Sequence, residues 1–92
     1  MIKSWRHKGL KLFYDTGSRA KIQYKHANKL HDILQALDFA TAPQQMNFPG
    51  LDFHPLKGNL KDFYSVKVDA NWRVTFAFEN KDAILIDYID YH

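Results

Sequence analysis

Apolar residues recur along this chain with periods that change from segment to segment, and each period predicts a kind of element. Ile2 to Trp5 reads as a short first strand. Leu10, Phe13 and Tyr14 follow at helical spacing, and Thr16-Gly17-Ser18 stops that helix. Ile22, His26, Leu30, Ile33, Leu34 and Leu37 then form one stripe with spacings of three and four. That stripe predicts an amphipathic helix over roughly residues 20–38, with Lys21, Lys25, Asn28, Lys29, Asp32 and Gln35 on its wet face. Pro43 marks an exit, and 40–60 reads as a loop that contains Pro49-Gly50 and His54-Pro55-Leu56-Lys57-Gly58. Beyond it the period drops to two. Tyr64, Val66 and Val68 alternate with Ser65 and Lys67, and Trp72, Val74, Phe76 and Phe78 alternate with Arg73, Thr75, Ala77 and Glu79. Ala83 to Ile89 is apolar on both faces except at Asp87, which predicts a central strand. Asp69-Ala70-Asn71 and Asn80-Lys81-Asp82 have turn chemistry and predict antiparallel hairpins.

The order β-α-α-β-β-β gives an α+β fold, with two N-terminal helices packed on one face of a small, mostly antiparallel sheet. Arg73, Thr75 and Lys67 fall on the other face. Ninety-two residues make one domain, 1–92. No run approaches the about 18 apolar residues of a membrane span, and the N-terminus lacks the apolar stretch of a secretion signal. Cysteine is absent, which removes disulfides and thiolate chemistry and leaves a cytoplasmic protein as the expectation.

The net charge of +3 conceals a split. Residues 1–30 hold eight basic side chains against the single acid Asp15, whereas the remainder holds five basic and nine acidic. A basic segment of that density suits phosphate, and so nucleic acid; a solvated helix face explains it equally well.

The chain ends in Asp90-Tyr91-His92, an ionisable trio directly after the apolar run, expected to be held by the last strand. If that strand is central, its end brings Asp90 and His92 to the face that carries Arg73, near His54 and Lys57 of the preceding loop. Two imidazoles, a carboxylate, an ammonium and a guanidinium suit phosphoryl transfer from a ribose hydroxyl. A base takes the 2′-OH proton, cations hold the phosphate, and an acid protonates the departing 5′ oxygen. His54, Asp90 and His92 could alternatively ligate zinc, but no close ligand pair supports this, and no metal or other cofactor is expected. His7, His26 and His31 read as helix-surface or packing residues.

Three blocks in order carry a resemblance: His54-Pro55-Leu56-Lys57-Gly58, Asn71-Trp72-Arg73-Val74-Thr75-Phe76 and Asp87-Tyr88-Ile89-Asp90-Tyr91-His92, with the opening Ile2-Lys3-Ser4-Trp5-Arg6-His7-Lys8-Gly9-Leu10. Together they resemble the HigB toxins of bacterial toxin–antitoxin pairs, within the RelE-like superfamily. The resemblance implies a ribosome-dependent mRNA endonuclease that cuts codons in the decoding site without a metal, by 2′-OH attack, and so stops translation. It implies that His54, Asp90, Tyr91 and His92 serve cleavage, that Lys57 and Arg73 lie near the scissile phosphate, and that Asn71 sits on a turn able to touch a codon base. Asp90 or His92 would take the 2′-OH proton, and His54 or His92 would assist the leaving group. The implied partners are the ribosome, at 16S ribosomal RNA near the decoding site, mRNA, and a HigA-like helix-turn-helix antitoxin. Operator DNA would be met only through the antitoxin complex. The competing readings are a non-catalytic RNA- or operator-DNA-binding module acting through the basic N-terminal helices, and a ribonuclease that works free of the ribosome. A shallow site with few positioning groups disfavours the latter.

Overall fold

The computed structural model describes residues 1–90. Helix α1 spans Lys8–Thr16 and α2 spans Ala27–Phe39. The strands are β1 His54–Pro55, β2 Phe63–Lys67, β3 Trp72–Glu79 and β4 Asp82–Asp90. They form one antiparallel sheet in the order β1-β2-β3-β4. This is the α+β arrangement expected from the periodicity, with both helices against one sheet face.

Local chemistry explains the helix limits. The Nδ1 of His7 accepts from the Leu10 N–H at 2.8 Å and caps the start of α1. Gly17 closes α1 with φ +80, and its N–H returns to the Phe13 carbonyl. The second helix starts seven residues later than the stripe predicts. Gln23 is extended, with φ −69 and ψ 124, and Tyr24–His26 form a single 3-10 turn before α2 begins. Ile22 still reaches the core from that irregular stretch. The stripe thus records burial, and burial does not require continuous helix.

The core lies between the helices and the sheet. Leu10, Leu30, Leu37, Met46, Val66, Val74, Phe76 and Ile86 are fully buried in it. Each contributes about 1.5–3 kcal/mol of burial free energy before chain entropy is charged against it.

Three segments depart from the sequence reading. Ile2–Trp5 makes isolated parallel bridges to β4, Ile2 to Ala83 and Trp5 to Ile86, in place of a strand. The 40–60 stretch holds a 3-10 turn at Pro43–Met46 and strand β1, so His54 belongs to the sheet. Strand β4 carries a bulge. Thr75 pairs with Asp87, but Ala77 pairs with Ile84, so one extra β4 residue is accommodated there. Leu85 takes φ +56 at this point, a conformation that non-glycine residues adopt at a cost. The N-terminal segment satisfies the disturbed backbone: Leu85 N–H donates to Ser4 Oγ at 2.9 Å and Ile86 N–H to the Ser4 carbonyl at 3.2 Å. No helix among the described residues is long and apolar enough to cross a membrane.

Candidate active site

The register builds two cross-strand rows on the face away from the helices. One runs His54, Ser65, Thr75, Asp87; the next runs Lys67, Arg73, Ile89. Lys67, Arg73 and Thr75 therefore share this face, as alternation predicts. Arg6 joins them, its guanidinium lying 4.9 Å from the centroid of the Phe63 ring. Phe63 is in register with Ala77 and so belongs to the same face.

Arg73 is held firmly. Its Nη2 lies 2.6 Å from Asp52 Oδ2, and its Nη1 donates to Ser65 Oγ at 3.0 Å and more weakly to the Asp52 carbonyl at 3.4 Å. The Arg73 side chain is 16% exposed, against 60% for Asp52. Ion pairing with Arg73 keeps the Asp52 carboxyl below the usual carboxylate range. His54 Nδ1 sits 3.1 Å from the same Asp52 carbonyl. One residue thus contacts both the imidazole and the guanidinium. Periodicity carries little sign of Asp52, because its place ahead of β1 depends on the β1–β2 register and on the bond from Lys67 N–H to the Leu51 carbonyl at 2.6 Å.

Asp90 is placed differently from the expectation. It pairs with Trp72, not Arg73, and directly paired residues share a face. It therefore lies on the helix side of the sheet, near Tyr88, and is itself exposed. The bulge is the cause. Alternation from Ile84, on the Arg73 side, would carry Asp90 to that side; the extra residue at Leu85 reverses the parity. His54 on β1 and Asp90 on β4 are separated by two strands, about 14 Å along the sheet at ordinary strand spacing. Tyr91 and His92 lie outside the described residues. Lys57 is exposed in the β1–β2 connection, just before a 3-10 turn at Gly58–Leu60. Asn71 is exposed on the β2–β3 turn, where its N–H donates to Asp69 Oδ1 at 3.3 Å.

Beside Asp90 lies a polar cluster built around His26, which packs inside the molecule as expected and also holds two polar partners there. His26 is buried at 3% exposure. Its Nε2 lies 2.5 Å from Asp69 Oδ2, and its Nδ1 lies 2.6 Å from Tyr88 Oη. A carboxylate only accepts, so Nε2–H donates to Asp69, while Nδ1 and the Tyr88 hydroxyl are each other's partner. Tyr88 Oη accepts in turn from the Gln23 N–H at 3.3 Å. The His26 bond lowers Asp69 to a pKa of about 2, and burial raises that of Tyr88. Trp72 packs on Tyr88 with ring centroids 4.5 Å apart. The α2 entry, the β2–β3 turn and the end of β4 are thereby tied together.

A hollow of about 530 Å³ lies elsewhere, between α2 and the 48–51 segment, lined mainly by Ile33, Ala36, Phe48, Pro49 and Leu51. It holds none of the chemistry above.

A family model of the HigB-like toxins, RelE-like toxins of type II toxin–antitoxin systems, matches residues 3–92. The chain belongs to this family. It is 44% identical over 92 residues to the endoribonuclease HigB of Proteus vulgaris, covering the whole of both chains. It is 33% identical over 94 residues to the toxin HigB-1 of Vibrio cholerae, covering 100% of this chain and 98% of that one. In fold it is similar to a mutant of YafQ from E. coli, with a TM-score of 0.60 and 19% identity over 96% of this chain and 91% of that one. Membership of a type II family implies an antitoxin partner for this HigB-like toxin.

Proposed function

We propose that this HigB-like toxin is an mRNA endonuclease that acts on the ribosome, cutting codons in the decoding site by attack of the 2′-hydroxyl on the adjacent phosphate. The observation that carries this reading is the sheet face where His54 stands with Arg73, Lys67 and Arg6. It is a shallow cationic surface supplied with an imidazole, suited to a phosphodiester backbone. Its near relative is named an endoribonuclease. Asp90, Tyr91 and His92 serve proton transfer and base contact at the β4 end, Lys57 and Arg73 neutralise the phosphate, and Asn71 meets a codon base. A shallow face needs an external template to fix the RNA in line, which is the role of the ribosome. The basic residues 1–30 bind 16S ribosomal RNA, where salt weakens the contact. The antitoxin is a HigA-like helix-turn-helix protein, through which the pair reaches operator DNA, and the toxin acts in the cytoplasm.

The test is expression in cells with primer extension on mRNA. Arg73→Ala and His92→Gln are expected to relieve growth arrest and abolish codon cuts while the proteins stay folded. Charge reversal at Lys21 and Lys25 is expected to reduce ribosome co-sedimentation. Growth arrest without codon cuts, undiminished in His92→Gln and Arg73→Ala and lost only in the charge-reversed protein, would establish the non-catalytic binder instead.

A further inference from the structure

We propose that Asp52 is the positioning residue of the cleavage site, fixing the tautomer of His54 through its main chain and the orientation of Arg73 through its carboxylate. The proposal rests on the endonuclease reading and moves the base within it from Asp90 or His92 to His54.

A main-chain carbonyl can only accept. His54 Nδ1, 3.1 Å from the Asp52 carbonyl, must therefore carry the hydrogen. In the neutral ring that leaves the lone pair on Nε2. His54 is on the same face as Ser65, with which it pairs, and Ser65 Oγ accepts from Arg73. The lone pair thus belongs to the face that carries the guanidinium. His54 Nε2 takes the 2′-OH proton as O2′ forms its bond to phosphorus. The P–O5′ bond breaks, and the departing 5′ oxygen receives a proton from solvent water, to whose hydroxide His54 then returns the proton it took. The products are a 2′,3′-cyclic phosphate and a 5′-hydroxyl, and the protein ends in its starting protonation state.

Asp52 is itself held in an unusual conformation, with φ +47. The Lys67 N–H bond to the Leu51 carbonyl fixes the preceding residue against β2. From there the carboxylate reaches Arg73 Nη2 at 2.6 Å, and with Ser65 it sets the plane of the guanidinium. An arginine held at two points presents its remaining edge in one orientation. A carboxylate so close to the phosphate site also opposes RNA binding slightly, so its benefit falls on the rate and not on affinity.

The experiment has two arms. Long-range 1H–15N correlation spectra of the labelled protein, above the titration of the ring, are expected to show His54 protonated at Nδ1 with a bare Nε2. A protonated Nε2 overturns the proposal, and this arm needs no activity. In single-turnover cleavage of ribosome-bound mRNA, Asp52→Asn, which tolerates the left-handed backbone, is expected to lose about tenfold in rate with no rise in KM and an unchanged unfolding temperature. Asp52→Glu, which keeps a carboxylate, is expected to recover part of the loss. A full rate for Asp52→Asn, while His54→Ala is inactive, overturns the positioning role alone. A full rate for His54→Ala overturns the assignment of the base and the underlying reading of the site.

Discussion

Removing the Tyr88 hydroxyl tests whether the His26 cluster is a satisfied network or mere proximity. Tyr88→Phe keeps the ring and its tilted contact with Trp72, so packing is little changed. What is lost is the partner of His26 Nδ1 at 2.6 Å and the acceptor for the Gln23 N–H at 3.3 Å. His26 is 3% exposed, so its ring nitrogen gains no water in exchange. A buried polar atom left without a partner costs about 1–3 kcal/mol, and the long Gln23 bond adds little. The expected loss is about 2 kcal/mol. For a domain of this length each kcal/mol moves the midpoint by about 4–8 °C, so the fall is about 8–16 °C. Thermal unfolding followed by circular dichroism, with urea titration for the free energy, measures it. His26→Leu with Tyr88→Phe completes a double-mutant cycle, and the second substitution is expected to cost less once the first is present. A midpoint within 2 °C of wild type for Tyr88→Phe, with additive single effects, would refute the coupled network from Gln23 to Asp69.

Leu85→Val inverts the usual propensity rule: valine favours strands, yet a β-branched residue at φ +56 is strained, so a loss of about 1–2 kcal/mol is expected in urea unfolding. Gly9→Ala is expected to destabilise by about 1–3 kcal/mol in the same assay, because a Cβ there would lie 2.2 Å from Lys21 Cβ and force α1 away from the segment before α2. Asp69 has a folded pKa of about 2, below its value of 3.8 in the unfolded chain. Its contribution is therefore complete above about pH 4 and is lost as pH falls towards 2. Asp69→Asn is expected to flatten that part of the acid unfolding curve, and an unchanged acid limb would remove Asp69 as its source.

Much of this architecture is written along the chain. The stripe from Ile22 to Leu37 marks one core, the alternation from Tyr64 to Phe78 marks two strands and their faces, and Thr16-Gly17 ends the first helix, since local sterics and burial period act over a few residues. The spacing of the three motif blocks was enough to point to the HigB-like family. The sequence alone also set Lys67, Arg73 and Thr75 on one face. Tertiary structure decided what depends on pairing between distant segments. His54 became a strand residue because β2 offered it a partner. Asp52 came within reach of Arg73 because of the β1–β2 register. Most of all, the bulge at Leu85 reversed the parity of β4 and sent Asp90 to the Trp72 side. Periodicity in one strand cannot show an extra residue whose cost is met by Ser4, more than eighty positions earlier, since the hydrogen bonds that make it tolerable exist only once the chain has folded back on itself.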